Sequence, residues 1–243
     1  DVDPKEAAPK LFNSAFQNTG QVCIAMKRLY VHEDIYDEMC DELATLANET
    51  VIGNGLEQGT KLGPLNNKMQ FDKVKELIEE AKTDGNVIAG GEVPDQPGYF
   101  IRPTIVRDIE EGSRLVDEEQ FGPVLPVKEY EDFDETVNYV NSKDRPLGLY
   151  LFSDDKNKEK KVIDNTTSGG VTLNDVIWHI GQEELPFGGV GPSGTGSYHG
   201  HDGFKEFSHA KAVYKQFSKD LMAQMMPPYK GNMFETMKKQ IKK

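Results

Sequence analysis

Phe133-Asp134-Glu135-Thr136-Val137-Asn138-Tyr139-Val140-Asn141, then Leu149-Tyr150-Leu151-Phe152, then Asp155 to Ile163, then Gly170-Val171-Thr172-Leu173 form the run that decides the fold. Two helical segments of about ten residues alternate with two short apolar runs, the signature of crossovers on a parallel sheet. Upstream, Val124-Leu125-Pro126-Val127 and Val87-Ile88-Ala89 read as strands, and Tyr99-Phe100-Ile101 with Thr104-Ile105-Val106 as a longer one interrupted by Pro103. Val74, Leu77, Ile78 and Ala81 mark a helix that ends at Gly85, and Ile35, Met39, Leu43 and Leu46 mark another, with Cys40 on the flank of its apolar face. Between them, Val51 to Leu65 is a glycine-punctuated loop. The spacing therefore predicts an α/β fold: a largely parallel sheet in three layers, with helices on both faces.

At the N-terminal end, Asp3-Pro4-Lys5-Glu6 carries a capping residue, a proline at the first helical position and an acid three residues after the cap. Ala8, Leu11, Phe12, Ala15 and Phe16 then recur at helical spacing, with Pro9 leaving open a start at Ala8. After Leu173 the periodicity stops, and Asn174 to Gly203 reads as one long glycine-rich loop. A loop of that length in a compact domain is functional or disordered, and Trp178, Phe187 and Tyr198 argue against disorder. Val213-Tyr214-Lys215-Gln216-Phe217 is a terminal strand with no partner in this chain, which predicts pairing with another subunit. The division expected is a domain over 1–210, followed by an oligomerisation strand and amphipathic tail over 211–243.

Composition removes several function classes. Acidic residues outnumber Lys and Arg by 41 to 28, a formal charge of −13, so no cationic face for nucleic acid or anionic lipid is expected. No apolar run approaches the roughly 18 residues of a membrane span. Two cysteines make no disulfide framework, and without a signal peptide the expected compartment is the reducing cytoplasm. The chain opens with Asp at a helix cap, which predicts that it is a piece of a longer protein.

The chemistry-bearing residues are few. Gly191-Pro192-Ser193-Gly194-Thr195-Gly196 has the wrong glycine order for a dinucleotide fingerprint, and no glycine is followed by lysine, so the main nucleotide cradle is not here. His199-Gly200-His201-Asp202 has no second ligand cluster nearby, and no metal site is assigned. Cys40 is explained by packing. Cys23, by contrast, lies three residues after Gly20, between a helix and the strand-like Leu29-Tyr30-Val31. Such junctions leave backbone N–H groups free for an oxyanion and turn a side chain toward a cleft. Among the many acidic pairs Glu119 stands apart, because Gln120-Phe121-Gly122-Pro123 fixes it at a rigid turn before a strand.

Five segments, in order and at matching spacing, give these residues a context. Phe16-Gln17-Asn18-Thr19-Gly20-Gln21-Val22-Cys23 resembles the active-site thiol segment of the NAD(P)-dependent aldehyde dehydrogenase family. Thr60-Lys61-Leu62-Gly63-Pro64-Leu65, Glu119-Gln120-Phe121-Gly122-Pro123-Val124, Gly170-Val171-Thr172-Leu173-Asn174 and Leu185-Pro186-Phe187-Gly188-Gly189-Val190-Gly191-Pro192-Ser193-Gly194 are similar to further segments of that family. The resemblance spans residues 1 to about 218 and covers the family's catalytic half and final strand.

It implies that Cys23 is the nucleophile that adds to the aldehyde carbon, with its own N–H as an oxyanion donor, by way of a thiohemiacetal and a thioester. It also implies that Glu119 bonds the nicotinamide ribose of NAD or NADP, that Phe121 packs beside that ribose, that Phe187 lines an apolar aldehyde tunnel and that Asn174 braces the loop behind the thiol. Val213 to Phe217 would complete a sheet in a neighbouring subunit of a homo-oligomer, a dimer or tetramer. The family's general-base Glu, its Asn oxyanion donor and the residues that hold the adenine half of the cofactor would lie upstream of residue 1, in a partner cofactor-binding domain, leaving this chain alone without turnover. Arg145 to Phe152, Ser197-Tyr198-His199-Gly200 and Phe207-Ser208-His209-Ala210-Lys211 are similar to the branch acting on long-chain, aromatic and coniferyl-type aldehydes, whereas Lys27-Arg28-Leu29-Tyr30-Val31 is closer to other branches. Two alternatives stay open: a cofactor-free thiol acyltransferase or hydrolase with a histidine beside Cys23, and a non-catalytic oligomerising relative.

Overall fold

The computed structural model describes residues 1–216, 218, 222, 226–229 and 231–241. They fall into two compact units, Asp1–Phe207 and Ser208–Lys243. In the first, helix α1 (Pro4–Phe16) starts at the Asp3 cap, whose carboxylate accepts from the Lys5 N–H at 2.8 Å, and runs through Pro9 without a break. Strand β1 (Leu29–His32) leads directly into helix α2 (Glu33–Glu49). Asn67 caps helix α3 (Lys68–Asp84), whose last N–H bonds close at Gly85 before strand β2 (Asn86–Ala89). Strand β3 (Thr104–Arg107), a single helical turn α4 (Arg114–Asp117) and strand β4 (Val124–Tyr130) follow. Helix α5 (Phe133–Ser142), strand β5 (Gly148–Leu151), helix α6 (Lys156–Asn165) and strand β6 (Gly170–Leu173) complete the alternation read from the sequence.

The strands form two sheets rather than one. Four pair in the order β1-β4-β3-β2, with β1 and β3 parallel to β4 and only β2 antiparallel to its neighbour. Among the described residues β5 and β6 pair, in parallel, only with each other. Alternating strands and helices specify crossovers but not which edges meet, and the separation is invisible in sequence. The three layers are recorded in the strand residues themselves: Ile105, Leu125 and Val127 point into a core built from α1 and α2, whereas Val106 and Val124 point into a second core with Val74, Leu77 and Ile78 of α3. The expected strand across Pro103 is shorter than read. Proline donates no ladder hydrogen bond, and only Thr104–Arg107 pairs, while Tyr99 bonds instead through its carbonyl to the Leu65 N–H at 2.9 Å.

The long glycine-rich segment folds back through a bridge between Phe187 and Tyr198 and ends in a helix, α7 (Gly200–Glu206), that Gly200 and Gly203 conceal in the sequence. In the second unit the described residues include helix α8 (Met233–Ile241). Val213–Gln216 form no strand within this single chain, and Val213 and Tyr214 are exposed; Phe217 lies outside the described residues. No helix among the described residues is long and apolar enough to cross a membrane.

Leu125, fully buried in the central strand β4, should lose about 2–5 kcal/mol of stability as Leu125→Ala, while Leu56→Ala, at an exposed loop position, should stay within about 0.5 kcal/mol of wild type. Urea unfolding followed by circular dichroism measures both.

Candidate active site

The thiol sits where α1 runs out. Gln17–Gly20 form a tight 3-10 turn in which Asn18 and Thr19 both adopt positive φ, 50° and 57°. A β-branched residue in that region is strained, so the surroundings must over-determine it. They do. Buried Thr19 donates its hydroxyl to the Gly63 carbonyl at 3.0 Å, and Gln21 accepts through Oε1 from the Asn66 N–H at 3.1 Å. The Thr60–Leu65 segment is thereby a wall of the thiol loop.

Gly20 does more than turn the chain. A Cβ at this position would lie 2.2 Å from the Gly122 carbonyl oxygen, and at its φ of +72° any side chain would be strained besides. Two stretches about 100 residues apart in sequence thus meet backbone to backbone. Gly122 in turn lies against Val74 of α3, where a Cβ would come within 2.3 Å of Cγ2. Gln70 of the same helix donates Nε2 to the carbonyls of Gln120 and Phe121, at 2.6 and 3.0 Å. Buried Gln120 donates its own Nε2 to the carbonyls of Lys27 and Leu115, at 3.0 and 2.7 Å. The Glu119–Pro123 turn is held between α3 and the thiol loop.

Within this frame Cys23 is exposed and Cys40 buried, and burial pushes the Cys40 thiol up to about 12. Cys23 occupies a turn closed by the Ala25 N–H on the Val22 carbonyl at 3.0 Å, and its own N–H meets no acceptor among the described residues. Cys23, Ile24, Lys27, Glu119, Leu149 and Tyr150 line a cavity of about 860 Å³, to which residues of β1 and β5 both contribute. Tyr150 donates its hydroxyl to the Ile24 carbonyl at 2.6 Å, and burial holds its phenol well above its ordinary range.

Glu119 and Phe121 are both on the turn that seats the thiol. The Glu119 carboxylate is exposed and accepts no hydrogen bond among the described residues, although its backbone carbonyl takes one from Lys73 at 2.8 Å. Phe121 is half-buried at a φ of 49°. Phe187 lies elsewhere. It is 7% exposed, packed on the rings of His179, Tyr198 and His199, and is not among the residues lining the cavity that Cys23 opens into. Asn174, at a φ of 55°, accepts from the Ser153 N–H and donates to the Ser153 carbonyl, at 2.8 and 3.0 Å, while Lys10 of α1 donates to the Asn174 carbonyl at 3.0 Å. It ties the ends of β5 and β6 to the helix that delivers the thiol.

No histidine among the described residues is hydrogen-bonded to Cys23. His179 is buried, pairs through Nδ1 with the Thr172 hydroxyl at 2.8 Å and is kept neutral by burial, while His199 bonds to the Leu185 carbonyl. Among the described residues no group of three or more His, Cys, Asp or Glu could hold a metal ion. Sequence reasoning assigned no role to Gln70, Gln120 or Lys27, whose contacts with one another's segments span 50 to 93 residues of the chain.

An exposed thiol on a strained loop, with an N–H that meets no acceptor among the described residues and a carboxylate-bearing turn against it, is an arrangement that can carry nucleophilic chemistry on an α/β scaffold. The model of the aldehyde dehydrogenase family matches residues 1–213, and the chain belongs to that family, whose members are oxidoreductases that use NAD or NADP. It is 38% identical over 249 residues to a probable coniferyl aldehyde dehydrogenase of Caulobacter vibrioides, covering 100% of this chain and 51% of that protein. The dimeric NADP-preferring aldehyde dehydrogenase of Mus musculus is 38% identical over 212 residues, 87% of this chain and 46% of that protein. The NAD+ complex of an aldehyde dehydrogenase from Bacillus cereus superposes with a TM-score of 0.82 at 32% identity, over 88% of this chain and 43% of the other. The chain spans about half the length of the curated relatives it matches.

For a nicotinamide cofactor the turn is a chemical fit: an exposed carboxylate with unclaimed oxygens accepts both hydroxyls of a ribose diol, and the neighbouring ring offers an apolar face. Gly20→Ala should cost at least about 2 kcal/mol and displace the thiol loop. Urea unfolding, with the rate of Cys23 alkylation read alongside it, tests this; wild-type values for both would mean the two backbones are not in contact.

Proposed function

We propose that this chain carries the nucleophilic half of an aldehyde-oxidising site. The observation that carries the reading is the position of Cys23: exposed, with an unclaimed N–H, on a loop seated directly on the Glu119–Phe121 turn. In this reading the Cys23 thiolate adds to the aldehyde carbon, and the carbonyl oxygen, now an alkoxide, is received by the Cys23 N–H. The thiohemiacetal so formed gives up hydride and becomes a thioester, and water releases the carboxylic acid and the thiol. A bound NAD or NADP supplies the two-electron acceptor. Glu119 would hold its ribose and Phe121 would pack beside it.

Phe187 would act on the substrate from behind the cavity wall, through the His179 and Tyr150 rings, rather than by forming the wall itself. Asn174 would keep the β5–β6 end fixed against α1. An apolar aldehyde suits the Leu147, Leu149 and Val140 side chains of the cavity, and the coniferyl aldehyde named for the Caulobacter relative supports that preference. The rest of the cofactor would be held mainly by a cofactor-binding domain upstream in a longer protein, so the chain by itself would not complete turnover. Residues 1–210 would be the catalytic domain, and Val213–Phe217 would pair with a second subunit in a homo-oligomer.

Release of nitrophenol from a simple nitrophenyl ester needs the nucleophile and no hydride acceptor. The chain should release it, and Cys23→Ala should abolish release while Cys40→Ala leaves it intact. Equal release by the chain and Cys23→Ala would overturn the assignment.

A further inference from the structure

The site leaves one half-buried cation, Lys27, without a role. Lys27 lies at the end of the Cys23 turn, and its side chain doubles back over that turn instead of reaching for water, as an exposed lysine does. Its Nζ donates to the Gly20 carbonyl at 2.6 Å and stands 5.1 Å from the centroid of the Phe121 ring. Its backbone carbonyl is the one taken by Gln120. A single residue thus grips the backbone that precedes the thiol and the aromatic ring of the opposing turn, while lining the same cavity as Cys23 and Glu119.

This inference rests on Cys23 as the nucleophile. We propose that Lys27 is a positioning residue for that thiol: its ammonium clamps the Gly20 carbonyl against the Phe121 ring and so holds the Cys23 turn in its reactive arrangement. The groups that face the ammonium are few. Glu119 approaches from the turn and Cys23 from its own loop, and both favour the charged form. Lys73 of α3 is engaged with the Glu119 carbonyl, and the Arg28 guanidinium is turned away onto the carbonyls of Val116 and Asp117.

Burial outweighs both carboxylate and thiol and brings Lys27 down to about 8. The sign follows directly: the clamp is charged at pH 7 and loses its charge as pH rises through about 8, where an ordinary lysine would stay charged to about 10.4. A clamp that titrates in this window separates a positioning role from mere packing.

The test is the rate at which iodoacetamide alkylates Cys23 in the full chain, read by mass spectrometry from pH 6 to 10, for wild type, Lys27→Met and Lys27→Arg. Lys27→Met, of similar length and uncharged, should react about threefold to tenfold more slowly at pH 7. The wild-type profile should depart from a single ionisation near pH 8. Lys27→Arg, which keeps its charge throughout, should react near the wild-type rate at pH 7 and follow a single ionisation up to pH 10. Superposable profiles for folded wild type and Lys27→Met overturn the role of Lys27 and leave the nucleophile standing. If Cys23 in all three reacts no faster than in the urea-unfolded chain, both readings fall. Should Lys27→Met not fold, coincident wild-type and Lys27→Arg profiles above pH 8 overturn the proposal.

Discussion

The contact between Gly20 and the carbonyl of Gly122 is the constraint on which the rest of the site depends. The Gly122 carbonyl leaves no room for a side chain at Gly20, and the Val74 side chain leaves none at Gly122. Gly20 ends the turn at the close of α1, while Gly122 rests on Val74 of α3. Everything chemical follows from that seat. The thiol faces a cavity, the carboxylate of Glu119 stands on the opposing turn, and Phe121 fills the space between the turn and the ammonium of Lys27. Strain at Asn18 and Thr19 is tolerated because a hydrogen bond from Thr19 to the Gly63 carbonyl and one that Gln21 accepts from the Asn66 N–H fix the loop on its other side.

A second line of contacts runs from the thiol loop into the β5–β6 sheet. The carbonyl of Ile24, the residue after Cys23, is held by the Tyr150 hydroxyl of β5. Tyr150 lies beside the His179 ring, and His179 beside Phe187, with ring centroids 6.1 and 5.8 Å apart. The glycine-rich segment after Leu173 is therefore structural support for the thiol loop as well as a loop. Asn174 closes the arrangement by joining β5, β6 and, through Lys10, α1. Among the described residues the two sheets share no strand pairing, and these side-chain bonds tie the smaller one to the thiol loop.

Much of this was legible in the sequence because it is local. Asp3 and Gly85 mark helix ends, and the apolar spacing of α2, α3 and α5 needs no partner to be recognised. Cys23 stands out by its helix–strand junction and Glu119 by the rigid turn before a strand, whereas Phe121 is picked out only by the resemblance of its segment to the family's. What local pattern cannot carry is which distant groups meet. Gln120 and Lys27 are 93 residues apart, and nothing in either neighbourhood announces that a buried glutamine amide holds a lysine carbonyl. The same blindness applies to β5 and β6, whose residues read as strands but not as a separate pair, and to α7, whose glycines argue for a loop until tertiary contacts decide otherwise.

If the thiol loop and the Glu119–Pro123 turn are one mechanical unit, loosening one must loosen the other. Hydrogen exchange of the peptides spanning residues 18–28 and 117–124, compared between wild type and Gln120→Ala, measures this directly. Protection should fall in both peptides together, with α2 unchanged. Faster exchange confined to residues 117–124, with the thiol loop as protected as before, would contradict the account.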